Sequence, residues 1–171
     1  MTRVQHSLDP IWNSDSRVLI LGTMPSPQSR KKQFYYAHPQ NRFWKVMASV
    51  LEEECPETND AKRAMLLRRG VALWDVLFTC DIEGASDQSI RNPQPNDIGR
   101  LLEQCPVRQV FTTGRRAFEL YASLLGGESI CLPSPSAANC AVSLEQLVQR
   151  YRAILPYLNE KQERGENARC I

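Results

Sequence analysis

Val18-Leu19-Ile20-Leu21-Gly22-Thr23-Met24-Pro25-Ser26 is the stretch that decides the fold. Four apolar residues running into a glycine predict a buried strand over about 17–22 that stops abruptly. A turn rich in Gly, Pro and Ser follows, and residues 23–40 read as one long loop. Loops of that length inside a compact chain are usually functional. The carboxyl ends of strands are also where open α/β sheets bind their ligands. A site is therefore expected at this turn.

Downstream, the segments alternate. Helices are predicted over about 42–53, with Phe43, Val46, Met47 and Val50 on one stripe, and over about 59–69, capped by Asn59-Asp60 and closed by Gly70. Val71 to Leu77 reads as a strand, residues 80–96 as polar and irregular, and Asn96-Asp97 as the cap of a helix ending near Gln104. A third strand, Val107 to Thr113, precedes a helix from Gly114 through Leu125. A short fourth strand, Ser129 to Leu132, runs into the turn Pro133-Ser134-Pro135-Ser136-Ala137-Ala138-Asn139. The last helix, about 143–158, carries Leu144, Leu147, Val148 and Tyr151 on one face. Residues 1–16 read as a lead-in, and the charged tail from 160 as frayed. Strands alternating with helices predict an α/β fold, a three-layer sandwich around a mostly parallel four-stranded sheet. With 171 residues and no linker or repeat, one domain over 1–171, with a core of about 15–158, is expected.

Composition narrows the function classes. A net charge of +2 declares no large basic field. No apolar run approaches the ~18 residues of a membrane span, and the N-terminus lacks a signal-peptide core, so a cytoplasmic protein is expected. The six cysteines include no C-x-x-C pair, and only His6 and His38 are available beside them. Neither a zinc site nor an iron–sulfur cluster is expected, and the cysteines read as free thiols.

Two turns and the segment between them resemble the uracil-DNA glycosylase superfamily. Tyr36-Ala37-His38-Pro39-Gln40-Asn41-Arg42-Phe43-Trp44-Lys45-Val46 is similar to the F-A-H-P-A-N-R-F-W-K-V segment of the mismatch-specific uracil-DNA glycosylases, and Val142-Ser143-Leu144-Glu145-Gln146-Leu147 to their V-S-L-E-K-L helix. The likeness runs from about 17 to 155. In two respects the chain departs from them. Met24 stands where those enzymes carry a water-positioning Asn, and Ser134-Pro135-Ser136 replaces their N-P-S. The set G-T-M-P-S, Y-Y-A-H-P-Q-N-R-F-W, A-L-W-D-V-L and L-P-S-P-S-A-A-N resembles instead the hypoxanthine-DNA glycosylase branch, or DNA-deoxyinosine glycosylases. That resemblance makes Asn41 the leading catalytic candidate.

Breaking an N-glycosidic bond requires a flipped base, donors aimed at the developing negative charge and a water near the anomeric carbon. The resemblance makes Tyr36 the platform for the base; the plain alternative is that Tyr35 or Tyr36 closes the core over the loop. By spacing alone Asn41 is a helix cap, and an amide that caps with its oxygen keeps its NH₂ for a pocket. Thr23, Met24, Pro25 and Ser134 are expected to frame the base. Ser26, Ser29, Arg30, Ser136, Ala138 and Asn139 are expected to meet DNA, Ala138 in place of a wedging leucine; solvated loop is an equal reading for Arg30, Lys31 and Lys32. Arg115-Arg116 at a helix start suit a phosphate only weakly. His38 and Asp75 read as structural or as contacts to the base. The expectation is a monofunctional glycosylase, monomeric and without cofactor, that removes hypoxanthine from DNA containing deaminated bases. The alternatives are a mismatch-specific uracil/thymine glycosylase and a catalytically inactive nucleic-acid-binding relative.

Overall fold

A computed structural model describes residues 1–158. The strands β2 (Val18–Gly22), β3 (Val71–Asp75), β6 (Gln109–Thr113) and β7 (Ile130–Leu132) form a four-stranded sheet in the order β3-β2-β6-β7. Every pairing in it is parallel. The central strand β2 shows why both faces are covered. Val18 and Ile20 enter one apolar cluster while Leu19 and Leu21 enter another. Alternate side chains of a strand point to opposite faces, so a continuous apolar run serves two cores.

The first cluster takes Phe43, Met47 and Val50 from α2 (Phe43–Val50), Met65 and Leu66 from α3 (Asn59–Arg68), and Leu147 and Tyr151 from α6 (Leu144–Tyr151). The second takes Ile98 and Leu101 from α4 (Ile98–Gln104), and Ala117, Leu120 and Tyr121 from α5 (Arg115–Leu125). These layers match the expected three-layer α/β arrangement. Several boundaries move. The cap of α3 is Thr58, whose side chain accepts from the Ala61 N–H, not Asn59-Asp60. Leu144 is 42% exposed, because it is the first residue of α6 and lies beyond the reach of the core. The expected charged tail over 160–171 lies outside the described residues.

Two larger corrections concern segments read as irregular. The loop 23–40 contains a short helix, α1 (Pro27–Lys32). Its start signals are present: Ser26 accepts from the Ser29 N–H as N-cap, and Pro27 occupies the first turn. Six residues without an apolar stripe leave no periodicity to detect. The second correction is a whole sheet. Strands β1 (Thr2–Gln5), β4 (Leu77–Glu83) and β5 (Ser86–Pro95) form an antiparallel sheet in the order β1-β4-β5. The run expected as one strand over 71–77 bends at Val76, where its N–H and that of Leu77 donate to the Gly22 and Thr23 carbonyls at 2.8 and 3.1 Å. Cys80, Ile82 and Ile90 face the second cluster, while Phe78 and Glu83 face outward. Pro93 and Pro95 lie in β5, an edge strand with one side unpaired, where a missing N–H is tolerated.

Candidate active site

The strand order changes direction at β2: the chain runs from it to β3 on one side, and β6 lies on the other. At this switch point the carboxyl ends of β2, β3 and β6 open into a cavity of about 500 Å³. Four stretches wall it: the first turn (22–26) with Ser29, the Tyr35-Tyr36 and Asn41 segment, the β4–β5 hairpin tip (84–88) and the second turn (134–139). Asp75 and Thr113 form part of the lining from the strand ends.

Gly22 is required by close approach. A Cβ there would collide with the Asp75 carboxylate and stand 3.0 Å from the Tyr36 hydroxyl. Asp75 is 4% exposed and is held from behind. The Leu8 N–H donates to His6 Nδ1 at 3.3 Å, which leaves the ring proton on Nε2, donated to Asp75 Oδ2 at 2.8 Å. The β1–β4 ladder, from Thr2↔Ile82 to Gln5↔Thr79, brings His6 to this place. Asn96 donates to the backbone carbonyls of Asp75 and Leu77 at 2.9 and 3.0 Å, which fixes the bend after β3.

The two tyrosines separate. Tyr35 is buried and donates its hydroxyl to the Asp9 carbonyl at 2.8 Å, so it is the one that closes the core. Tyr36 is half-buried, with a left-handed backbone (φ 51°) that turns it into the cavity. One face of its ring stacks on Phe43, with centroids 4.0 Å apart and planes 16° from parallel. The side chain also forms part of the cavity wall. Its hydroxyl shares a hydrogen bond of 2.9 Å with Thr113 Oγ1. Burial and the Asp75 charge push that hydroxyl far above the usual phenol range, so it acts as a neutral group.

Asn41 Oδ1 accepts from the Phe43 N–H at 2.9 Å. The residue at the N-cap position proper is Arg42, with no side-chain cap bond, so Asn41 supplies the cap from one residue further out. Its Nδ2 has no protein partner among the described residues, and Asn41 lines the cavity. The cap and the free amide therefore coexist in one side chain.

Arg42 ties the second turn to this segment. Its guanidinium donates to the carbonyls of Ser136 (2.9 Å), Asn139 (3.0 Å) and Val142, and its backbone N–H to that of Pro135 (3.1 Å). Ser134, Ser136, Ala138 and Asn139 all line the cavity, with Ala138 exposed at the mouth. Inside the turn the Ser136 N–H donates to Ser134 Oγ at 3.2 Å, and Asn139 Nδ2 to the Ser134 carbonyl at 3.0 Å.

On the first turn, Thr23 and Met24 are buried and belong to the lining, as does Pro25. Ser29 is buried too, accepting from Ser26 Oγ and from the Ala37 N–H, both at 3.1 Å. The structure does not bring Arg30 into the lining. Its guanidinium donates to the Pro25 carbonyl at 2.7 Å, and Lys32 to the Ala37 carbonyl at 3.3 Å, so both charges brace the loop. Lys31 is exposed. Arg115 and Arg116 both pair with Glu119 along α5, at 3.1 and 3.9 Å. His38 is exposed, and its Nδ1 accepts from the Gln40 N–H at 3.1 Å.

One further group comes from the hairpin tip. Asp87 lines the cavity, with its carboxyl in the neighbourhood of the Thr23 hydroxyl. Burial raises its carboxyl above the usual carboxylate range; the nearby Thr23 hydroxyl lowers it, the Asp75 charge raises it again and Arg116 lowers it. Neither Asp87 nor His6 was singled out for the site from the sequence, since Asp87 lies in a segment read as irregular and His6 in one read as a lead-in.

The model of the uracil DNA glycosylase superfamily matches residues 10–158. The chain belongs to that superfamily. A relative from Methanosarcina acetivorans, named hypoxanthine DNA glycosylase, is 33% identical over 141 residues, which is 80% of this chain and 89% of the relative. A protein of the same name from Methanosarcina barkeri is 31% identical over 134 residues, 76% of this chain and 85% of the relative. Among solved structures, the solution NMR structure of a Methanosarcina acetivorans protein, provisionally described as a uracil DNA glycosylase, superposes with a TM-score of 0.75 at 30% identity. It covers 90% of this chain and 99% of its own. As a member of the superfamily the chain is a DNA glycosylase, and the walls of its cavity include the two strand-end turns and the segment between them.

Proposed function

We propose that this protein is a monofunctional DNA glycosylase that hydrolyses the N-glycosidic bond of deoxyinosine in DNA and releases hypoxanthine. The observation that carries this reading is Asn41, anchored through Oδ1 with its Nδ2 unpartnered at the cavity, which Tyr36 also lines. The names of the two relatives support the choice of base. Met24 in the first turn and Ser134 in the second support it too, since neither offers the amide of the uracil-directed enzymes.

In the proposed mechanism the nucleotide is extruded from the duplex, and the base enters between the strand ends and lies on Tyr36. Deoxyinosine pairs more weakly than a normal purine nucleotide, which lowers the energy needed for extrusion. Thr23, Met24, Pro25 and Ser134 shape the slot. Asn41 Nδ2 donates to the base or to the attacking water, and gains strength as charge develops. Ser26, Ser29, Ser136, Ala138 and Asn139 approach the DNA backbone and the gap left by the base; Arg30 contributes by holding the Pro25 carbonyl. Ala138 is too small to fill that gap alone. The chemistry needs a water, not a metal or organic cofactor, and one copy of the chain holds every group named.

The test uses duplex oligonucleotides carrying inosine, uracil or neither, with alkaline cleavage of the abasic product. Strand scission after alkali in the inosine duplex alone is the expected result. Release mainly from uracil would overturn the assignment of the base. Binding without release from any duplex would identify a relative that has lost catalysis.

A further inference from the structure

We propose that Asp87, delivered by the tip of the β4–β5 hairpin, is the general acid that protonates N7 of the departing purine. The proposal rests on the deoxyinosine reading above. A purine leaving through N9 carries away the electron pair of the glycosidic bond. Unless it accepts a proton, it leaves as an anion. Its N7 is a basic site in the same ring, so an acid placed there yields a neutral leaving group. Positioned acids of this kind accelerate reactions by ~10²–10⁴.

Two carboxyl groups line the cavity, Asp75 and Asp87, and their surroundings assign them different roles. The Tyr36 hydroxyl is too weak an acid and is engaged by Thr113. Asp75 accepts the hydrogen bond from His6 Nε2, so it is arranged as an acceptor. Asp87 is half-buried, lines the same cavity as Tyr36 and Asn41, and stands within the field of Asp75. Burial and Asp75 both favour its protonated form. Two carboxyl groups in one pocket, one arranged to accept and the other to keep its proton, is a pattern that divides acid from base roles. The charged or titratable groups that share a field with Asp87 are Asp75 on β3, Cys80 on β4, Tyr36 before α2 and Arg116 on α5.

The Asp87 proton moves to N7 as the C1′–N9 bond breaks and its electron pair goes to the base. Water adds to C1′ and loses one proton to solvent. Asp87, now a carboxylate, regains a proton from solvent before the next turnover. The net reaction is deoxyinosine plus water to an abasic deoxyribose and hypoxanthine.

The working form is protonated, so release is fastest at low pH and declines as pH rises through the raised carboxyl range. The experiment measures single-turnover release from an inosine duplex against pH for the wild type and Asp87→Asn, a variant of nearly equal shape. Duplex binding and thermal melting are followed in parallel. The expected result is a loss of ~10²–10⁴ in the variant, disappearance of the pH-dependent limb and unchanged duplex binding. Melting should be no lower, because a group whose ionised form the fold disfavours has been removed. With a substrate bearing carbon in place of N7, the wild type should be slow and the variant no slower. A variant rate within about threefold of wild type, or an unchanged pH limb, would overturn the proposal. Failure of the wild type to release hypoxanthine at all would overturn the functional reading itself, and this proposal with it.

Discussion

The two sides of the cavity are built differently. The side carrying Tyr36, Asn41 and the second turn is fastened at many points. Tyr36 is held by Phe43 and Thr113, Asn41 by the Phe43 N–H, and residues 135–142 by Arg42. The hairpin tip is mostly exposed, and its Asp87 joins the site by lining the same cavity. A base must be held in one plane at a fixed distance from a donor, and small displacements of such groups greatly reduce rate. The fastened side has the geometry for that task. The tip adds an acidic group at the edge of an open mouth, where DNA has to enter.

This contrast can be broken experimentally. The largest effect is expected from Arg42→Ala, which frees the second turn by removing several hydrogen bonds from one charged group. Bonds of this kind contribute ~1.5–3 kcal/mol each when their loss leaves buried acceptors unpaired. Chemical denaturation should show a lower midpoint, and inosine cleavage should fall even at temperatures where the variant is folded. A folded Arg42→Ala protein of full activity would show that the second turn needs no such fastening. A smaller effect is expected from Tyr36→Ala. Loss of base stacking typically weakens binding by ~1–3 kcal/mol, readable as weaker binding of an inosine duplex. If that binding did not change, Tyr36 would not be where the base lies.

The parallel sheet was legible because its strands are apolar runs bounded by turn residues, as with 18–21 before Gly22. Its layers followed from alternation with helices. The antiparallel sheet was not legible, and the reasons are physical. Thr2–Gln5 is four residues with no apolar pattern, and β5 contains two prolines that argue against a strand except at an edge. Only tertiary pairing gives these segments their conformation. The same blindness hid His6 and Asp87, which enter the site on that sheet. Tyr36 and Asn41 were singled out through the likeness of a long motif, since spacing alone made Asn41 a cap. The structure shows why spacing was not misleading: the amide oxygen does cap, and the nitrogen remains for the cavity.

That double role supplies the most direct test of the central claim, that base release depends on the Asn41 amide. Asn41→Asp keeps an oxygen able to accept from the Phe43 N–H, since Asp caps helices as well as Asn, but it removes the Nδ2 donor. Asn41→Ala removes both. Measured as single-turnover hypoxanthine release, both variants should lose ~10²–10³ in rate, with Asn41→Asp melting close to wild type. An Asn41→Asp protein that releases hypoxanthine within about threefold of the wild-type rate would contradict the account, because the side chain would then be a cap and nothing more.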